Sequence, residues 1–103
     1  MMKKIVSFYY LNYPDRMPDD PHEAFSEVYV EVGDENSDLN HFEETYTFYV
    51  YTLGYIKQMI TTDSRDFLVG RSVIIVDRFE DKTIERALEW ILPNIEEYGQ
   101  KKG

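Results

Sequence analysis

The stretch FEETYTFYVYTLGYIKQMI, residues 42–60, begins with the pattern of a strand and ends with that of a helix, and this change decides the fold. In a strand, successive side chains point to opposite faces of the sheet. Tyr46, Phe48 and Val50 therefore share one face. The residues between them are also β-branched or aromatic, which suits a half-buried pleated surface. The opposite face is predicted to carry Thr45, Thr47, Tyr49 and Tyr51.

The second half of this stretch has helical spacing. Leu53, Ile56 and Ile60 stand at positions i, i+3 and i+7, so one side of the predicted helix is apolar. Thr52 comes directly before them and is predicted to cap the first turn by accepting a hydrogen bond from a free backbone N–H. A helix that follows a strand directly needs a further strand to which the chain returns, and residues 69–76 have that pattern.

Two more strands are predicted earlier in the chain, over residues 3–11 and 24–32. In the second, Val28, Val30 and Val32 alternate with polar and aromatic residues, so one face is buried and the other is wet or covered by a partner. The polar loop 33–40 is predicted to join this strand to the next as antiparallel neighbours.

The last third of the chain predicts a strand and a long helix. The run Val73–Val76 is continuously apolar, which predicts a central strand covered on both faces for part of its length. Residues 80–98 form an amphipathic pattern with Asp81 as the expected N-cap and a break near Pro93, which cannot donate the helical hydrogen bond. The residues after Gly99 are expected to fray.

These elements predict one α+β domain over residues 1–103. Its order is βββαβα, with a four-stranded, mostly antiparallel sheet and two helices on one face, in two layers. The length of 103 residues fits a single core. Two helices cover only one face of such a sheet, so the other face is predicted to be open.

Charge is distributed unevenly along the chain. The net charge is −9, but residues 12–46 contain eleven acidic residues and a single basic one, Arg16, a net of −10. This argues against nucleic-acid binding, which needs a basic surface, and favours a cationic protein partner. Acidic loops that only keep the domain in solution are the alternative. Crowding of these acids also predicts raised carboxyl pKa values through like-charge repulsion.

Several kinds of chemistry are excluded or disfavoured by composition. The chain has no cysteine, which excludes disulfides, thiol nucleophiles and cysteine-bound zinc. It has no nucleophile elbow, phosphate loop or dinucleotide fingerprint, so we expect neither an enzyme nor a cofactor. The apolar run near Lys3 and Lys4 lacks a cleavage site for secretion, and no segment reaches the length of a membrane span, so a cytoplasmic protein is expected.

Two metal-site alternatives were weighed and are not favoured. The loop 34–40 has oxygen donors at alternate positions, as in a calcium loop, but Leu39 and Thr45 stand where Gly and a bidentate Glu are required. His22 and His41 each have acidic neighbours, but their spacing does not require a shared metal. No metal is therefore predicted.

The face that carries glutamate and tyrosine is the strongest candidate for a functional surface. Rigid aromatic rings flanked by carboxylates suit contact with a cationic protein. A homodimer that covers the same rings is the alternative. The predicted contact residues lie on two strands and the connection between them: Glu27, Tyr29, Glu31, Asp34, Glu35, Asp38, Glu43, Thr45, Thr47, Tyr49 and Tyr51.

Three segments together resemble a family of small bacterial immunity proteins, which protect cells from polymorphic toxins, including those of contact-dependent growth inhibition. The segments are Val32-Gly33, the strand-to-helix run 48–56 (FYVYTLGYI), and the run 71–79 (RSVIIVDRF) followed by Asp81 and Ile84. The resemblance covers about the last two thirds of the chain. It implies a domain that binds a toxin and performs no chemistry itself, so no catalytic residue carries over.

The resemblance and the charge together lead to one functional expectation. We expect a protein that neutralises a cationic toxin, such as a nuclease, through its acidic, tyrosine-bearing surface. The alternative is a self-associating structural or adaptor domain that uses the same sheet face and has no toxin partner.

Overall fold

The computed structural model describes residues 2–36, 41–62 and 70–102. It confirms the α+β prediction of an antiparallel sheet packed against helices, and it adds a fifth strand. A 3-10 turn, Leu92–Asn94, separates the last two helices. The elements in chain order are β1 (Lys3–Tyr10), β2 (Phe25–Asp34), β3 (Glu44–Thr52), α1 (Leu53–Thr62), β4 (Val73–Val76), α2 (Asp81–Ile91), α3 (Ile95–Tyr98) and β5 (Gln100–Lys102).

Strand β3 lies at the centre of the sheet. Its whole length pairs antiparallel with β2, which in turn pairs antiparallel with β1. The other edge of β3 is shared between two short strands. Thr45, Tyr46 and Thr47 pair antiparallel with β5, and the second half of β3 pairs parallel with β4. Two separate parts of the chain therefore complete one edge of the same strand.

Thr52 fixes the change from strand to helix, as its position predicts. Its side-chain Oγ1 accepts hydrogen bonds from the backbone N–H of Tyr55, at 3.2 Å, and of Ala24, at 3.0 Å. Its backbone N–H donates to the carbonyl of Ala24 at 3.0 Å. Because Thr52 is fully buried, these bonds satisfy groups that water cannot reach. The start of α1 is thereby attached to the start of β2.

The core lies between one face of the sheet and helices α2 and α3. Val28, Val30 and Val32 of β2 share this face with Tyr46, Phe48 and Val50 of β3, and all six are buried. The helices contribute the apolar side of their predicted amphipathic pattern. Full burial of one such aliphatic side chain stabilises the fold by about 1.5–3 kcal/mol. The buried helix residues are Ile84, Leu88, Ile91, Leu92 and Ile95.

The long C-terminal helix is interrupted where the proline predicts. Helix α2 ends at Ile91, and Pro93 lies in the 3-10 turn that leads into α3. The N-cap prediction is wrong by one residue. Glu80 is the cap and makes no side-chain capping bond, whereas Asp81 begins the helix and accepts a hydrogen bond from the Tyr10 hydroxyl at 2.5 Å. Asp81 thus connects α2 to β1 and does not cap the helix.

The prediction that the chain end frays is wrong. Residues Gln100–Lys102 form β5 on the free edge of β3. The reversal from α3 into β5 runs so close to Phe48 that a Cβ on Gly99 would lie 2.7 Å from the ring. Gly99 is therefore required for close approach of the backbone to the core, and sequence pattern alone suggested only a helix terminator.

The prediction of a central strand at Val73–Val76 is also wrong. Strand β4 stands at the end of the sheet order β1-β2-β3-β4, and Ile75 is 52% exposed. The apolar run has another explanation: Ile74 and Val76 pack against the core, while Ile75 faces the opposite side of the sheet. An apolar run in a strand thus does not require that both faces be covered.

Strand β1 contains a bulge that changes its predicted alternation. Ile5 pairs with Val32 and Ser7 pairs with Glu31, so Val6 is an extra residue between them. Ile5 therefore shares the core face, although strict alternation groups it with Ser7. After a bulge, the side chains that follow lie on the opposite face from that expected.

Candidate partner-binding face

The sheet face opposite the core, called the open face here, carries the predicted contact residues of β2 and β3. The register places Glu27 opposite Tyr49 and Glu31 opposite Thr45. Because alternate strand residues share a face, all the predicted members within β2 and β3 lie on one surface, away from α2. These members are Glu27, Tyr29, Glu31, Thr45, Thr47, Tyr49 and Tyr51.

The predicted residues differ in how much of each side chain a partner could reach. Six of the seven are partly exposed, but Thr47 is only 8% exposed. It lies between Tyr29 on one side and Gln100 of β5 on the other. Thr47 is therefore largely covered by its neighbours and offers a partner little contact area.

Three further predicted contact residues, called the rim residues here, lie at the end of the sheet where β2 passes into β3: Asp34, Glu35 and Glu43. Asp34 is the last residue of β2, and its Oδ1 accepts a hydrogen bond from the backbone N–H of Asn36 at 2.9 Å. Glu35 and Glu43 are exposed beside the connection. Asp38 lies outside the described residues. Asp34 thus stabilises a turn, while Glu35 and Glu43 remain available for contact.

A cluster that the sequence did not predict lies beside Tyr29. The rings of Tyr9 and Tyr29 meet edge to face with centroids 5.7 Å apart. The Nζ of Lys102 stands 3.9 Å from the centroid of Tyr29, a close cation–π contact. Lys102 was missed because the chain end was expected to fray. Tyr9 pairs with Tyr29 across β1 and β2, and a correct register for these two strands would have predicted it as part of the open face. The bulge at Val6 makes that register hard to derive from the sequence.

A second aromatic cluster stands at the other end of the face. The ring of Phe25 lies 4.6 Å from that of Tyr51 and stacks at 5.7 Å on Tyr55 of α1. Tyr55 also lies 5.9 Å from Tyr51. Exposed Ile75 continues this apolar area, because it pairs with Tyr51 across β3 and β4. The rings hold one another in place before any partner binds.

One carboxylate of the open face, Glu31, and one on the opposite side of the sheet, Glu44, are committed to internal contacts. Glu31 accepts a short hydrogen bond from the Ser7 hydroxyl on β1. Glu44 forms ion pairs with Lys101 at 3.0 Å and Lys3 at 3.5 Å, and it accepts a hydrogen bond from Tyr46 at 3.0 Å. Glu27 and the rim glutamates are therefore better candidates for an external cation than these two residues.

The ion pairs around Glu44 reverse the expected effect of acid crowding on its pKa. The hydrogen bond from Lys101, together with that from Tyr46 and the charge of Lys3, holds the pKa of Glu44 below its ordinary value despite partial burial. The pKa of Lys101 is raised by the same contact. Crowding in sequence thus failed as a predictor at Glu44, because strands and helices bring cations from distant parts of the chain.

The described part of the chain contains no cluster of three or more His, Asp or Glu side chains with metal-binding geometry. His22 and His41 are both exposed. The loop considered for calcium lies partly outside the described residues. Within residues 2–36, 41–62 and 70–102, no helix has the length and apolar character needed to cross a membrane.

Comparison with known proteins gives no relative: no family model, curated protein or solved structure matches the chain. The geometry and charge of the open face therefore stand alone as the description of the site. It is a sheet surface of two aromatic clusters, with carboxylates between them and along one end, on a sheet whose opposite side is packed against helices.

Proposed function

We propose that this domain is a toxin-neutralising immunity protein, which acts in the cytoplasm and binds a cationic cognate toxin through its open face. In this role it performs no chemistry. The observation that carries the proposal is the combination of partly exposed aromatic rings and carboxylates on a sheet face that α2 and α3 leave uncovered. The resemblance to immunity proteins, noted from the sequence, supplies the class of partner.

Electrostatic attraction supports this proposal at long range. The net of −10 over residues 12–46 comes from β2, the start of β3 and the connections beside them. Opposite potentials increase the rate of encounter and select against partners of the wrong charge. Many toxins that act on nucleic acids have basic substrate-binding surfaces, and an acidic inhibitor suits them.

The aromatic residues support the proposal because they can make direct contacts with the partner once the two proteins meet. Tyr49 stands opposite Glu27 and between the two ring clusters, so a carboxylate-bearing residue lies next to it on the neighbouring strand. Rings already held by neighbours lose little conformational freedom on binding, which favours affinity. Aromatic residues at the centre of an interface commonly contribute most of its binding free energy. Tyr49 is therefore the expected anchor.

Lys102 gives the open face an uneven charge. Its Nζ lies over the ring of Tyr29, and its backbone pairs with Thr45, which stands opposite Glu31. The negative potential is consequently weaker at that point and stronger near Glu27 and the exposed rim residues Glu35 and Glu43. A cationic partner is expected to place its basic side chains at these three residues.

The proposal is tested by co-expression with candidate toxin domains from neighbouring genes, with growth of a bacterial host as the readout. The variant Glu27→Lys, Glu35→Lys, Tyr49→Ala should lose protection. The matched control Glu85→Lys, Glu89→Lys changes the same number of charges on the exposed side of α2 and should protect fully. Thermal melts of both variants verify folding. Full protection by the first variant would show that the open face is not the binding site.

A self-associating domain is the second candidate, and the mixed charge of the open face favours it. Lys102 and Glu27 lie on the same surface, so two copies related by a two-fold axis could pair lysine with glutamate. Sedimentation over a range of concentrations tests this. A dimer that Lys102→Glu disrupts, and that Lys102→Glu with Glu27→Lys restores, would favour self-association over toxin binding.

A further inference from the structure

A concave surface lies on the other side of β3, where β4 and α3 meet α2. It is called the Trp90 cleft here and has a volume of about 520 Å³, within the range of small-molecule sites. It lies where the edge of β3 passes from β5 to β4, and Phe48 is the residue of β3 that pairs with neither short strand. The residues that carry the argument are Phe48, Arg71, Ser72, Ile74, Trp90 and Tyr98.

The cleft has an aromatic wall and an apolar floor. Trp90, the only tryptophan of the chain, is 74% exposed on α2, and its ring lies 6.1 Å from that of Tyr98. Phe48 and Ile74 lie at the base and belong to the core or pack against it. A large indole left this exposed beside a concavity contributes little to the fold, and it would gain contacts if a ligand were bound.

Ser72 is the unusual polar group of the cleft. It is 8% exposed, and its Oγ is the buried side-chain atom that has no hydrogen-bond partner within the described residues. Its φ is 65°, a conformation that residues other than glycine rarely adopt. Its carbonyl accepts a hydrogen bond from the N–H of Tyr49 at 2.9 Å, which holds this backbone in place. The residue that bears this unpaired hydroxyl is thus fixed at the wall of the cleft.

A cation also lines the cleft, on the residue before Ser72. Arg71 is exposed and lines the cleft, and its guanidinium can hold a carboxylate with two parallel hydrogen bonds. Glu97 lies among the other lining residues and adds a negative charge. A ligand that satisfies Ser72 and Arg71 together must present hydrogen-bond acceptors with negative charge next to an apolar body.

We infer that the Trp90 cleft binds a small organic carboxylate with an aromatic or aliphatic body. The body lies on Ile74 against the rings of Trp90 and Tyr98. The carboxylate accepts hydrogen bonds from the guanidinium of Arg71 and from the hydroxyl of Ser72, which is covered in the unbound chain and turns toward the cleft when the ligand binds. This site is separate from the open face and does not depend on the proposed toxin partner.

The fluorescence of Trp90 provides the test, because no other residue of the chain gives indole emission. The full chain is titrated with 3-phenylpropionate, its amide and the corresponding amine, with excitation at the red edge of the indole band. The carboxylate should shift the emission to shorter wavelength and bind at least about tenfold more tightly than the amide, a difference of about 1.4 kcal/mol. Equal binding of the three probes, tightest binding of the amine, or no spectral shift with any of them would overturn the inference.

Two variants separate the site from general hydrophobic binding. Arg71→Gln should weaken the carboxylate about tenfold and leave the amide unchanged. Arg86→Gln removes the same charge from the exposed side of α2, outside the cleft, and should change neither. Ser72→Gly keeps the positive φ without strain and should weaken the carboxylate while the protein stays folded. Unchanged carboxylate binding in both Arg71→Gln and Ser72→Gly would contradict the assignment.

Discussion

The open face and the Trp90 cleft lie on opposite sides of β3 and differ in how far their groups are already satisfied. On the open face, Tyr29 contacts Tyr9 and Lys102, and Glu31 is bonded to Ser7. In the cleft, Trp90 is mostly exposed and the hydroxyl of Ser72 has no partner in the described residues.

This difference teaches what each surface can recognise. A preorganised surface on an open sheet face gains affinity from its area and charge, which suits a protein. A concave surface with an unsatisfied polar group gains affinity when one small ligand provides the missing bond. The same strand supports both, because alternate side chains of β3 face opposite sides.

The largest loss of stability should come from substitution of Gly99, because this residue lets β5 pair with β3, the strand that carries both surfaces. A Cβ in Gly99→Ala would lie 2.7 Å from the ring of Phe48 and must displace it. Overpacking of this kind lowers the free energy of unfolding by about 1–3 kcal/mol. Urea denaturation measures it, with Gln100→Ala as the exposed control. An unchanged midpoint would show that β5 adapts without cost.

Glu44 should have the next largest effect, since its ion pairs attach β5 and β1 to β3. Its side chain is 17% exposed, and loss of its charge-assisted bonds in Glu44→Gln should cost on the order of 1–2 kcal/mol. Glu96→Gln, which removes an exposed partner of Lys3, is the control and should cost much less.

The contribution of Glu44 should also depend on pH with a definite sign. Its pKa in the folded state lies below the ordinary value of 4.5, so its stabilising contribution is present above that value. The contribution is lost as the pH falls through the lowered pKa. The difference between wild type and Glu44→Gln should therefore be constant near neutral pH and disappear in acid. A difference that grows in acid would contradict the ion-pair assignment.

A substitution confined to the cleft should change stability by a smaller amount, and it should raise stability where the preceding substitutions lower it. Ser72→Gly removes both the unpaired hydroxyl and the strain of a positive φ, so stability should rise by about 1 kcal/mol. Ser72→Ala removes the hydroxyl and keeps the strain, so it should gain less. Thermal melts without ligand measure both. A loss of stability in Ser72→Ala would show that the hydroxyl has a partner.

The smallest effect should come from a change confined to the open face. Lys102→Met removes the cation over Tyr29 and preserves most of the packed side chain, and it should cost about 0.5 kcal/mol. Lys82→Met, on the exposed side of α2, should cost nothing measurable. If Lys102→Met lowers stability as much as Gly99→Ala, then the cation and not the backbone reversal holds β5 in place.

The strand and helix patterns of the sequence predicted the fold where the periodicity is local. Thr52 caps α1, and α2 ends before Pro93, because both effects depend on neighbours within one turn. The wrong predictions at β4 and β5 concern pairing between distant segments. A three-residue strand such as Gln100–Lys102 has no periodicity of its own, and only the exposed edge of β3 makes it a strand.

The candidate surfaces were predictable to different degrees for the same reason. The alternation of β2 and β3 was sufficient to place Glu27, Tyr29 and Tyr49 on one face. Tyr9 was missed because the bulge at Val6 shifts the alternation of β1. The Trp90 cleft had no sequence signal, since β4, α2 and α3 come together there only in the folded chain.

The shared edge of β3 also has a consequence for the order of folding. Strand β4 is close to β3 along the chain, so the parallel pairing can form after closure of a moderate loop. Strand β5 follows α3 directly and can reach Thr45 only when both helices have packed on the sheet. Until then, the first half of β3 is an unpaired edge that another copy can join. Aggregation during refolding should therefore begin at residues 45–47, and slow steps in helix packing should increase it.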